Sequence, residues 1–166
     1  MKRFALLTSI VFILIVTSAY SQSLLDGWVK YDSPQGNYAI SLPTTPELLN
    51  NQLHSAISDG KYFTTNTGWA DVQPGFSLER ARNGYVNGLQ GTLIEEKRVS
   101  IGGYPGYEWR VETKIDGRDQ LYWTRSYLVG NRTYLLQFFA AKENFRNQQI
   151  IDCANKYFDS FAVVSR

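Results

Sequence analysis

The 166-residue chain carries 17 Lys and Arg, 15 Asp and Glu, and a single cysteine. One cysteine excludes an intramolecular disulfide framework. No run of Lys or Arg could form a nucleic-acid-binding surface, and Lys97-Arg98, the densest basic pair beyond the N-terminal Lys2-Arg3, directly follows Glu95-Glu96. We therefore expect no nucleic-acid partner.

The first predicted element is a cleavable signal peptide over residues 1–21. Lys2 and Arg3 precede an apolar run at residues 4–16, and small and polar residues lead to a cleavage site near Ser21-Gln22. Because this run is shorter than the about 20 apolar residues of a membrane-spanning helix, cleavage is favoured over a retained anchor. We expect residues 22–166 to form one domain that is periplasmic or secreted, without a stable membrane anchor after cleavage. Its basic and acidic residues are then equal in number.

Two hairpins are predicted at the start of the mature region. Large apolar residues alternate over residues 28–32 and 37–43, and the S-P-x-G sequence between these segments is typical of a turn. Residues 48–57 and 61–66 indicate a second, weaker hairpin around Ser58-Asp59-Gly60. The segment that follows, residues 67–71, resembles a turn.

The second half of the chain is predicted to contain a helix, then four strands, then a second helix. Apolar residues at helical spacing over 74–90 predict a helix with Ser77 as its N-cap. Strands follow at 92–100, 104–115, 121–129 and 132–141, and Asp116-Gly117 favours a tight hairpin. Residues 143–158 present one wide apolar helical face, and 161–164 form a short final strand. Hairpin connections imply antiparallel pairing, so we predict an α+β fold with a single antiparallel sheet covered by one or two main helices.

No pattern indicates a catalytic, metal or cofactor site. His54 is the only histidine and Cys153 the only cysteine, so neither a zinc site nor a Ser-His-Asp arrangement has a local signature. We interpret His54 as an ordinary exposed residue and Cys153 as a buried apolar one. Glu108 and Glu112, on the same strand face beside Arg110, could form a hydrolase site. Cross-strand ion pairing is the favoured interpretation.

Aromatic residues are the most unusual part of the composition, with 4 Trp, 11 Tyr and 9 Phe. Most should fill the core of a pleated sheet. Tyr122 and Trp123 are neighbours in a strand and must point to opposite faces, so at least one lies away from the main core, covered by a helix or exposed. Trp69 is the aromatic most expected to be exposed. Together with Tyr104, these residues are the candidate ligand or partner contacts.

Four segments resemble a group of small exported bacterial proteins with a PsbP-like fold. Residues 28–43 carry W-x-x-Y-x-S-P-x-G-x-Y-x-I-x-L-P, and residues 101–108 read I-G-G-Y-P-G-Y-E. Residues 125–134 match the group's hairpin, and 158–161 match its terminal F-x-x-S-F. The resemblance implies a central antiparallel sheet covered by helices. PsbP itself is an extrinsic subunit of photosystem II, related folds bind proteins such as Ran, and the exported bacterial members are largely of unknown function. The resemblance therefore assigns no functional residue.

Three hypotheses follow from the sequence. The first is a non-catalytic exported module that binds an envelope or secreted protein partner. The second is a binder of a small apolar or carbohydrate ligand that uses aromatics such as Trp69. The third is a hydrolase built on Glu108 and Glu112. No cofactor is expected under any of them.

Overall fold

The computed structural model describes residues 23–164, and the predicted signal peptide lies outside this range. Within it, the elements in chain order are β1 (Val29–Ser33), β2 (Tyr38–Leu42), β3 (Glu47–Asn50), β4 (Leu53–Ile57), β5 (Thr64–Asp71), α1 (Leu78–Gly88), β6 (Thr92–Ile101), β7 (Tyr104–Ile115), β8 (Arg118–Val129), β9 (Arg132–Ala141), α2 (Gln148–Asp159) and β10 (Ala162–Val163). Two short 3-10 segments lie at Asp59–Lys61 and Lys142–Arg146. No helix between residues 23 and 164 is long and apolar enough to cross a membrane.

The strands form two antiparallel sheets. Seven strands pair in the order β3-β4-β5-β9-β8-β7-β6, and β1, β2 and β10 form a separate three-stranded sheet. The α+β class and the antiparallel pairing are therefore confirmed, but the prediction of one sheet is wrong. The reason is long-range: Ala162 and Val163 pair with Ala39 and Tyr38 of β2, not with the large sheet.

The hairpins that build the large sheet arise from local sequence. In the β7–β8 turn, Asp116 and Gly117 both have positive φ, 49° and 78°. A two-residue turn with positive φ at both positions matches the twist of the flanking strands. The β8–β9 turn is similarly short and has Gly130 at φ 61°.

The main core lies on one face of the large sheet, called here the inner face. α2 and the three-stranded sheet cover it, with Ile150, Cys153 and Tyr157 of α2 fully buried among aromatic rings of β2, β8 and β9. Phe138 is at the centre, stacked on Phe63 at a ring-centroid distance of 4.5 Å. Aromatic pairs of this kind stabilise a core beyond the area that they bury.

A second, smaller core lies on the opposite, outer face under α1. The helix begins as predicted at its N-cap, where the Ser77 hydroxyl accepts a hydrogen bond from Arg80 N. Tyr85 of α1 and Leu89, the residue that caps its C-terminus, pack with Trp109 and Tyr122 of the sheet. Each face of the large sheet therefore has its own apolar cluster.

The region between β2 and α1 differs most from the prediction. The expected strand at 48–57 is two strands, because Asn50 Oδ1 accepts a hydrogen bond from Gln52 N and closes a turn. The expected turn at 67–71 is wrong, since these residues continue β5 to Asp71. Gly68 makes this possible: a Cβ there would lie 3.3 Å from Gln52 O, so glycine lets the β3–β4 turn approach the strand.

Candidate binding surfaces

Trp69, the aromatic most expected to be exposed, is half-buried in β5 at the edge of the main core. The guanidinium of Arg132 lies over its ring, 4.1 Å from the ring centroid. Arg132 also forms two hydrogen bonds to the Asp71 carboxylate, at 2.7 and 3.2 Å. The indole is therefore held in a fixed orientation by a cation that is itself positioned by an ion pair.

Two recesses adjoin Trp69, and we call the first of them the Trp69 cleft. The first, of about 470 Å³, is lined by Gln35, Asn50, Asn51, Gln52 and Trp69. The second, of about 280 Å³, is lined by Asn50, Gln52, Leu53, Gly68, Trp69, Ala70, Thr133 and Leu135. The recesses share three residues but lie on opposite faces of the sheet, because Gly68 pairs with Leu53 and Leu135 on the outer face while the Trp69 side chain points to the inner face. The first is amide-rich and the second is mainly apolar.

The walls of the Trp69 cleft are bonded to the neighbouring strands β5 and β9. Trp69 N donates to Gln52 O at 3.1 Å, which fixes the β3–β4 turn. Arg132 Nη1 donates to Gln35 O at 2.9 Å, which fixes the β1–β2 turn on the other side. Both turns therefore keep their positions without a ligand, as expected of a largely preformed site.

A second surface, the apolar edge, consists of Leu48, Leu49, Ile57 and Tyr62. These are four of the seven large apolar side chains that are most exposed in the described residues, at 56, 53, 49 and 50%. They fall within 15 consecutive positions, and Leu48 and Leu49, as neighbours in the edge strand β3, point to opposite sides of that edge. Such grouping of exposed apolar side chains is a feature of interaction sites.

The other predicted contacts do not gather around Trp69. Tyr122 lies under α1, 8% exposed and stacked on Phe139, while Trp123 is 4% exposed in the main core with the Arg110 guanidinium over its ring. Their placement on opposite faces, with Tyr122 under a helix, agrees with the strand geometry. Tyr104 is 44% exposed at the start of β7, three strands from β5 in the sheet. Only Trp69 adjoins a recess described above.

His54 is buried, not exposed as the sequence suggested. Its Nδ1 lies 3.0 Å from the Tyr38 hydroxyl, and its Nε2 is hydrogen-bonded to the Tyr31 hydroxyl. The polar residues around His54 in sequence give no sign of this burial. The two tyrosines that cover it come from the three-stranded sheet packed above β4. The residue thus joins the two sheets, and burial lowers the pKa of its imidazole below the usual value.

This burial predicts a pH-dependent stability. Above the unfolded-state pKa of about 6.5, His54 is neutral in both states and has no effect. As the pH falls below that value, the unfolded chain binds a proton more readily, so the free energy of unfolding decreases until the folded-state pKa is passed. Urea unfolding between pH 7 and about 5 should show a steeper decline for the wild type than for His54→Gln. Equal slopes would contradict the prediction.

The carboxylates considered for hydrolysis are held in ion pairs. Glu108 is 3% exposed between Lys97 and Arg125, and Glu112 is bound by Lys142. Burial by itself raises the pKa of Glu108, but the bonds from Lys97 and Arg125 outweigh it, so the pKa is lowered. A general acid requires a raised pKa. The two are also four positions apart along β7, which is about 13 Å at about 3.3 Å per residue and exceeds the roughly 5–9.5 Å of glycosidase pairs.

The remaining reactive group, Cys153, is fully buried in α2, in agreement with its interpretation as an apolar core residue. Burial raises the pKa of its thiol to about 11, which opposes formation of the nucleophilic thiolate. Among residues 23–164, no three His, Cys, Asp or Glu side chains are grouped as metal ligands.

Comparisons with known proteins agree on the fold. Neither a protein-family model nor a curated protein sequence matches the chain. Among solved structures, the cyanobacterial PsbP (CyanoP) of Synechocystis superposes with a TM-score of 0.57 at 11% identity, covering 82% of this chain and 92% of its own. The protein has a PsbP-like fold.

Two further structures support the same architecture. A Pseudomonas aeruginosa protein of unknown function has a TM-score of 0.53 at 10% identity and covers 84% of this chain and 97% of its own. A Bacteroides thetaiotaomicron protein has a TM-score of 0.57 at 11% identity, covering 82% of this chain but 48% of its own. The PsbP-like expectation from sequence is confirmed, and at these identities the likeness concerns the fold alone.

Proposed function

We propose that the protein is an exported, non-catalytic module, periplasmic or secreted, that binds an envelope or secreted protein partner through the apolar edge. The observation that carries this proposal is the exposure of Leu48, Leu49, Ile57 and Tyr62, two of which flank the edge strand β3. Burying such side chains against a partner contributes about 25 cal/mol per Å² of apolar surface. The ion-paired states of Glu108 and Glu112 support the non-catalytic part.

The two edges of the large sheet differ in a way that favours this location. The β6 edge carries four consecutive charged residues, Glu95 to Arg98, whereas β3 carries one, Glu47. Charged side chains along an edge strand discourage pairing with other chains. The β3 edge is short, but its two leucines and its free backbone groups leave it open to a partner. We therefore place the contact at β3 and β4.

The proposal predicts a selective loss of binding. Leu49→Asp and Ile57→Asp, each made in the tagged mature protein, should reduce recovery of the partner from native envelope extract by tenfold or more. The reason is that a charge placed in a desolvated contact lowers the binding free energy by about 1.4 kcal/mol or more. Both residues are about half exposed, so the fold should be retained, which circular dichroism would verify.

Ile94→Asp is the matched control for this experiment. Ile94 is 48% exposed on the β6 edge, so the change has the same chemistry on a surface of similar exposure. Recovery should equal that of the wild type. Equal loss in all three variants, or no loss in Leu49→Asp and Ile57→Asp, would contradict the placement of the partner.

A further inference from the structure

Helix α1 is intrinsically weak. Two of its eleven residues are glycines, Gly84 and Gly88, and glycine loses more backbone freedom on entering a helix than any other residue. Packing does not require either glycine, because both are exposed and a Cβ added at either position would meet no atom within 4 Å. Alanine at these positions would therefore strengthen the helix without a clash, and the present sequence keeps α1 marginally stable.

The contact between α1 and the sheet buries polar atoms without partners. The Trp109 indole N–H and the hydroxyls of Tyr85 and Thr124 are buried, and none has a hydrogen-bond partner among the described residues. The Tyr85 and Thr124 hydroxyls lie near each other but not in hydrogen-bonding geometry. Trp109 and Thr124 are paired across β7 and β8, so they share the outer face. Each unsatisfied group costs free energy while α1 covers it and gains hydrogen bonds from water when α1 leaves.

The chain is attached to the sheet on both sides of α1. Before the helix, Val72 N donates to Asn131 O at 2.7 Å. After it, the Thr113 hydroxyl donates to Leu89 O, also at 2.7 Å. Gly75, in the segment that leads into the helix, has φ 84°, a conformation that glycine adopts without strain. The helix can therefore leave the sheet while both ends of its segment stay attached.

We propose that α1 is a lid that opens while the rest of the protein stays folded. The two apolar clusters lie on opposite faces of the sheet, so α1 can leave without disturbing the main core under α2. Opening uncovers Trp109, Val111 and Tyr122, together with the neighbouring Leu135. Leu135 also lines the apolar second recess beside Trp69. The open form thus presents an apolar surface that continues into this recess and that the closed form hides.

An ion pair holds the lid closed. Arg82 of α1 is 8% exposed and pairs with Glu96 of β6, whose side chain is 32% exposed. The Arg82 guanidinium also lies 5.8 Å from the centroid of the Tyr107 ring. Because Glu96 is partly in water, the pair is screened by salt and stabilises the closed form only modestly. Glu96→Gln should therefore increase the rate of exchange of the α1 amides by about twofold to threefold.

Native-state hydrogen exchange of the mature protein tests the proposal. Amides in residues 82–88 should exchange at least about 100-fold faster than those in α2, whose exchange requires global unfolding. Gly84→Ala should slow the exchange of the α1 amides about fourfold, and the double variant with Gly88→Ala about twentyfold, because alanine favours the helix. Ala81→Gly, the reverse change at an exposed position of α1, should accelerate it about fourfold.

Ile150→Val separates lid opening from global unfolding. Ile150 is 1% exposed in α2, so its truncation should accelerate the exchange of α2 amides about fivefold and leave that of residues 82–88 unchanged. Equal acceleration in both regions would mean that α1 opens only when the whole protein unfolds, and would overturn the proposal. Equal protection of α1 and α2 in the wild type would overturn it as well.

An uncharged dye that fluoresces in apolar surroundings, N-phenyl-1-naphthylamine, reports the uncovered surface. Its fluorescence should be higher with Ala81→Gly than with the wild type, and lower with the double glycine variant. Equal fluorescence with all three proteins would exclude the uncovered apolar surface. Leu49→Asp should leave the exchange of α1 unchanged, so these results are independent of whether the apolar edge binds a protein.

Discussion

Phe138→Ala is expected to lower the free energy of unfolding by about 4 kcal/mol, one of the two largest effects predicted for a single substitution in this protein. Phe138 is fully buried and contacts the rings of Phe63, Phe145 and Tyr157. Removing it leaves a cavity that these rigid rings cannot fill. Urea unfolding of the mature protein measures the change. If the alanine variant does not fold, Phe138→Leu provides the measurement, with an expected loss of about 1.5 kcal/mol.

Phe139→Ala provides the matched control for this prediction. Phe139 follows Phe138 in β9 but points to the outer face, where it is half-buried and stacked on Tyr122. Its loss should cost clearly less, about 1–2 kcal/mol, because part of its surface is already in water. A larger loss of stability for Phe139→Ala than for Phe138→Ala would contradict the placement of the main core on the inner face.

Arg125→Met should lower the free energy of unfolding by about 3 kcal/mol, through charge and not through volume. The substitution leaves the Glu108 carboxylate, 3% exposed, with only Lys97 as a partner at 2.8 Å. A buried carboxylate that loses one of two cations keeps most of its desolvation penalty. The same unfolding measurement records the loss.

The double variant Arg125→Met with Glu108→Gln separates this mechanism from simple loss of packing. Without the buried negative charge, most of the lost stability should return, because a neutral pair of side chains avoids the desolvation penalty. Lys114→Ala, in an exposed pair with Asp119, should change stability by less than about 0.5 kcal/mol. A double variant as unstable as Arg125→Met alone would contradict the electrostatic explanation.

The sequence predicts the elements whose signals are local. Alternation over 104–115, the Asp116-Gly117 turn and the Ser77 cap all act within a few residues, and each appears in the structure as expected. Tyr122 and Trp123 likewise fall on opposite faces because strand geometry requires it. The β3–β4 turn also has a local signal in Asn50-Asn51, because asparagine favours turns.

What the sequence does not predict depends on contacts between distant segments. The burial of His54 requires Tyr31 and Tyr38, and the separate three-stranded sheet requires β10 to return to β2, more than 100 residues earlier. The Trp69 cleft shows the same limit. Trp69 is conspicuous in sequence, but its cation and the amide wall come from β9 and from two other turns, and no periodicity connects them.

Site-specific photo-crosslinking tests directly whether a protein partner binds at the apolar edge. A photoactivatable phenylalanine analogue at position 49 and, in a second protein, at position 94 would be irradiated in native envelope extract. Binding at the apolar edge should give one discrete crosslinked species from position 49 that is absent from position 94. Equal crosslinking from both positions, or a discrete species from position 94 alone, would contradict it.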